Sequence, residues 1–116
     1  MIEAVVDLAV FRRTMQEAGA EDSIGEILDL FIANAPERLA LLGEAMQSGD
    51  PRAIEQAAHA FRSPAGMIGA RGLEKLLLDI ELAGRAGTLE PARAAFEQMG
   101  PEAESVLRYL RSERGM

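Results

Sequence analysis

The segment AHAFRSPAGMIGA, residues 58–70, holds the only histidine of the chain. Arg62 follows His59 by three residues, Ser63 by four and Gly66 by seven, so all of them recur near one side of a helix. At roughly 100° per residue, Ile54, Ala58, Phe61, Ala65 and Ile68 fall on a common apolar face. His59 then lies about 140° away from that face, with Ser63 and Gly66 beside it and Arg62 at the flank. A neutral imidazole is a competent nucleophile near neutral pH. Small neighbours leave the ring open to something as bulky as another protein's active site, and a guanidinium one turn away would stabilise an arriving phosphoryl oxygen. A lone helical histidine is most often a surface residue with no assigned role. Exposure, small neighbours and a nearby cation together point here to a nucleophile.

Other chemistry fits less well. One His and no Cys leave only carboxylates to complete a metal site, and no acidic loop of the EF-hand type occurs. No nucleophile elbow supports a hydrolase, and no glycine-rich phosphate loop supports ATP binding.

The elements that must carry this segment are helices. Asp7 can cap a short first helix reaching about Gln16 and stopping at Gly19. Asp22 or Ser23 opens a long one, in which Ile24, Ile27, Leu28, Phe31, Ala35, Leu39, Leu42 and Met46 step by three and four. Pro36 sits inside that stripe and is expected to bend the helix without ending it, because the periodicity continues in phase. Ser48-Gly49-Asp50-Pro51 combines a Gly stop, an Asp cap and Pro at the first helical position. The helix it starts carries His59 and ends near Gly69. Another runs from Arg71 to Gly87, through Leu73, Leu76, Leu77, Ile80 and Ala83-Gly84. Thr88 to Pro91 opens the last, which continues past Gly100-Pro101 to Leu110. No alternating strand pattern appears. The spacing predicts an all-α, antiparallel four-helix bundle with the short N-terminal helix packed on one end.

At 116 residues the chain suffices for one hydrophobic core, so residues 1–116 read as a single domain. Apolar residues make up 48% while aromatics make up 4%, which suits helices filled by aliphatic side chains. A net charge of −7 argues against nucleic acid and against an anionic membrane surface. The absence of Cys removes thiolate chemistry and fits a cytoplasmic setting. There is no membrane-length apolar run and no basic-then-apolar leader.

His59-Ala60-Phe61-Arg62-Ser63, followed by Ile68-Gly69-Ala70, Leu73, Leu76-Leu77, Glu81 and Gly84-Arg85, resembles the histidine-containing phosphotransfer (HPt) domain. Upstream, Leu30-Phe31, Ala35-Pro36-Glu37, Leu39 and Gly49-Asp50 resemble the second helix of the same family, so the likeness spans nearly the whole chain. The resemblance implies a phosphorelay carrier in two-component signalling. His59 would accept a phosphoryl group from the aspartyl phosphate of a receiver domain and pass it to another. Arg62 would stand where the family usually has Lys, stabilising phosphoryl charge, and Ser63 where it has Gly. Glu81 would match the residue on the next helix that bonds the imidazole, orienting it. The resemblance implies no cofactor of the chain's own and Mg²⁺ in the receiver's acidic pocket. Response-regulator receivers, and a hybrid sensor kinase, would be its partners, met by a monomer through a surface centred on His59 with Glu55, Ser63 and Gly66, and with Arg52 at the rim.

His-x-Phe-Arg-Ser-Pro-Ala also resembles the H-box of sensor histidine kinases, although Ala60 replaces the acidic residue that follows the His there. That likeness implies a dimerisation hairpin instead. A third possibility is a bundle that binds partners without relaying phosphate. Pro64 bears on all three, since inside a helix it deletes the bond to the Ala60 carbonyl at a cost of about 3 kcal/mol.

Overall fold

The computed structural model describes residues 5–116, and among them every regular element is helical. Helix α1 spans Leu8–Glu17, a 3₁₀ turn Glu21–Ser23, α2 Ile24–Ser48, α3 Pro51–Ile68, α4 Arg71–Ala86, α5 Leu89–Glu97 and α6 Met99–Glu113. The caps follow local chemistry. The Asp7 carboxylate accepts from the Ala9 amide at 3.1 Å and starts α1, and the Asp50 carboxylate accepts from the Arg52 amide at 3.0 Å and starts α3. Helices α2, α3 and α4 each end on a left-handed glycine, Gly49, Gly69 and Gly87.

Both α2 and α3 run unbroken through their internal prolines, Pro36 and Pro64. The one boundary that differs from the sequence reading is in the C-terminal third. A single last helix was expected there, but the chain breaks at Gln98 into α5 and α6. Gly100-Pro101 then falls in the first turn of α6, where an amide lacks a helical acceptor in any case and proline costs nothing.

Helix α3 lies between α2 and α4, and its contact with α4 is the most extensive in the molecule. Ile54, Ala58, Phe61, Ala65 and Ile68 of α3 are fully buried with Leu42, Leu73, Leu77, Ile80, Met99, Val106 and Leu110. The predicted apolar face of α3 is therefore the face that enters the core. Phe61 packs on Phe31 of α2 with ring centroids 6.3 Å apart, in a tilted arrangement. Against α4 the fit depends on Gly84. A Cβ there would stand 2.8 Å from both the Pro51 carbonyl oxygen and the Glu55 amide nitrogen, which are backbone atoms that no rotamer change can move aside. The first residues of α1 meet the other end of α3, where the Asp7 amide donates to the Gly69 carbonyl at 2.9 Å. At the far terminus the Arg114 guanidinium forks onto Asp29 of α2 at 2.8 and 3.1 Å. No helix among the described residues is long and apolar enough to cross a membrane.

Candidate functional site

Burying the apolar stripe of α3 turns His59 outward, and its side chain is 62% exposed. The close approach of α3 and α4 brings Glu81 beneath it. The Glu81 side chain is only 4% exposed, and it is the one charged residue buried among the described residues. A carboxylate removed from water needs strong donors, and Glu81 has three neighbours that provide them. Arg62 Nε donates to Oε1 at 2.7 Å, Arg85 Nη2 donates to Oε2 at 3.1 Å, and His59 Nδ1 lies 3.2 Å from the same Oε2.

The tautomer follows from this geometry. An ionised carboxylate only accepts, so the Nδ1 contact with Glu81 requires the proton on Nδ1. Arg62 Nη2 also lies near Nδ1, but at 3.5 Å, the outer limit of a hydrogen bond. The shorter contact to the ionised partner decides the assignment. Nε2 is left with its lone pair on the exposed side of the ring.

Two opposing influences act on the Glu81 carboxyl. Burial pushes its pKa up, while hydrogen bonds from Arg62 and His59 and their charges push it down, and the net result is below the ordinary glutamate value. A carboxylate depressed on folding stabilises the folded state above its unfolded pKa, and that stabilisation is lost as pH falls through the lower folded value. Thermal melts of wild type and Glu81→Gln should therefore differ by a constant amount from neutral pH down to the ordinary carboxylate range. They should converge only below it. Convergence already near neutral pH would contradict an ionised Glu81.

The other expected site residues are placed as follows. Ser63 is exposed one turn beyond His59 on α3. Gly66 is half-buried, and a Cβ there would collide with the Glu74 carboxylate, so what Gly66 accommodates in this structure is Glu74 of α4. Arg62, read as the cation for an incoming phosphoryl group, has its side chain 28% exposed and its Nε on Glu81. Glu55, read as a rim residue, accepts from Arg85 Nε at 2.8 Å. Arg52, Glu55, Gln56, His59, Glu81 and Arg85 line one open recess of about 600 Å³ beside the imidazole.

Arg85 is the residue that sequence reasoning passed over, since it served there only as part of a family pattern. The Glu81–Arg85 spacing of four on one helix was the available signal. Its link to Glu55 joins positions 30 apart and is visible only in the folded chain.

The family model described as "Hpt domain" matches residues 26–113. The chain is also similar to a solved structure, histidine-containing phosphotransfer protein B (HptB) from Pseudomonas aeruginosa PAO1. The two share 32% identity over 98% of this chain and 97% of that one, with a TM-score of 0.86. No curated protein sequence matches the chain. With most of its length matched by the family model and nearly all of it superposed on a phosphotransfer protein, this chain belongs to the Hpt domain family.

Proposed function

We propose that His59 is the phosphoryl-accepting residue through which this phosphorelay carrier of two-component signalling works. The observation that carries the reading is the His59–Glu81 pair, an exposed imidazole whose inner nitrogen rests on a buried carboxylate. The Nε2 lone pair attacks the phosphorus of a receiver's aspartyl phosphate. A P–N bond forms, the P–O bond breaks, and its electron pair returns to the aspartate as carboxylate. The ring gains positive charge while Nδ1 keeps its proton, and the Glu81 carboxylate 3.2 Å away stabilises that charge. Return transfer reverses these steps: the P–N bond breaks, its electron pair returns to Nε2, and the neutral imidazole, still protonated at Nδ1, is the leaving group. The chain contributes positioning and electrostatics, and serves as a carrier rather than a self-sufficient catalyst.

Arg62 acts here by fixing Glu81 through its Nε, while its Nη2 end stands near the ring and is available to phosphoryl charge. Ser63 belongs to the surface that the receiver covers, and Gly66 and Glu55 lie at its edges. Mg²⁺ comes with the receiver, whose carboxylates hold it. The partners are receiver domains, with a hybrid sensor kinase as a further donor, and the carrier meets them as a monomer in the cytoplasm. The test is transfer from a phosphorylated receiver domain. Wild type is expected to acquire an acid-labile phosphoryl group, and failure to label with every receiver of the source organism would overturn the reading.

A further inference from the structure

Two arginines touch Glu81, and their situations differ. Arg62 is mostly covered, with its Nε against the buried carboxylate at 2.7 Å. Arg85 is 58% exposed and divided between two carboxylates, with Nε on Glu55 Oε2 at 2.8 Å and Nη2 on Glu81 Oε2 at 3.1 Å. Because His59 Nδ1 and Arg85 Nη2 meet at the same Glu81 oxygen, they can be no farther apart than those two hydrogen bonds laid end to end. Arg85 and the imidazole also face the same open recess.

A phosphoryl group on Nε2 brings nearly two negative charges into that recess. Glu81 is buried and remains tied to Arg62, so it has little freedom to respond. Glu55 carries a single charge and sits at the rim. A dianion with several acceptor oxygens outcompetes one carboxylate for an exposed guanidinium, whose planar fork suits phosphoryl oxygens. We propose that Arg85 is a second phosphoryl-binding residue, held by Glu55 while His59 is empty and handed to the phosphoryl oxygens when Nε2 is loaded. This rests on His59 being the acceptor. Glu55 then acts as a latch that sets how readily the cation is released.

The test uses phosphoramidate as donor, so that no receiver surface is involved. Nε2 displaces ammonia, the donor's P–N bond breaks, and a new one forms on the ring. Loading is followed by ³¹P NMR in the intact chain. Arg85→Gln should slow loading roughly tenfold, the order expected for loss of a charge-assisted hydrogen bond. Glu55→Gln should accelerate it severalfold by freeing Arg85. The double variant should load like Arg85→Gln alone, because the latch has nothing left to hold. Arg85→Lys, which keeps the charge but not the fork, should fall between. Arg52→Gln removes a cation from the same recess but lies outside the Glu55–Arg85–Glu81 chain of bonds, and should change loading far less. Wild-type loading by Arg85→Gln, slowing by Glu55→Gln, or equal slowing by Arg52→Gln and Arg85→Gln would each overturn the proposal. Loading of His59→Gln at the wild-type rate would instead overturn the histidine reading itself, so the two failures are told apart.

Discussion

His59→Gln is expected to fold like the wild type and to take up no phosphoryl group from a phosphorylated receiver domain. The replaced ring is largely exposed and contributes nothing to the apolar core, so stability should change by no more than a fraction of a kcal/mol beyond its bond to Glu81. Arg62 and Arg85 still satisfy the buried carboxylate, and the glutamine amide can donate to it in place of Nδ1. What disappears is the nucleophile. An amide nitrogen has no available lone pair, and this is the only histidine in the chain, so no second imidazole can substitute. The effect should be total loss rather than a reduced rate. Receiver phosphate would then decay only by its own hydrolysis. Persistent label on the variant, measured after an alkaline quench that preserves phosphohistidine on the wild type, would move the acceptor elsewhere.

The second large effect concerns stability and geometry together. Gly84→Leu should destabilise the fold by an amount at or above the upper end of the roughly 1–3 kcal/mol typical of overpacking. The Cβ alone would lie 2.8 Å from two backbone atoms of α3, so the helices must separate to admit the side chain. Glu81 lies one turn before Gly84 on α4, and Glu55 is one of the α3 residues that would be pushed away. Separation therefore lengthens both the His59–Glu81 and Glu55–Arg85 contacts, and phosphoryl uptake should fall along with stability. The matched control is Gly100→Leu in the first turn of α6, where a Cβ meets no atom within 4 Å. That change should be close to neutral. Denaturant melts of the two variants provide the comparison, and equal losses would show that helix contact at Gly84 is not what positions the site.

How far the sequence could be read depended on the kind of interaction. The outward direction of His59 was legible because it follows from the period of one helix, and the fully buried face from Ile54 to Ile68 lies where that period places it. The caps at Asp7 and Asp50 were legible for the same local reason. Glu81 was harder. Within α4 it looks as much like a solvated charge as a buried one, and its burial depends on how closely α3 approaches at Gly84. The division of Arg85 between Glu55 and Glu81 is a tertiary arrangement that no local spacing encodes in full. At Gln98 the helix ends without a glycine or a side-chain cap to announce it, while the conspicuous Gly100-Pro101 pair lies inside the next helix. Pro64 drew attention as a helix breaker, yet α3 continues through it to Ile68.

The central claim is that Nε2 of His59 carries the phosphoryl group because Glu81 holds Nδ1. With a single histidine in the chain, ¹⁵N labelling of that residue gives one pair of imidazole nitrogens to observe. After loading, phosphorus coupling to one of the two identifies the bonded atom. The expected result is a phosphoryl group on Nε2 with Nδ1 still protonated, and a phosphoryl group on Nδ1, or on any other side chain, would contradict it.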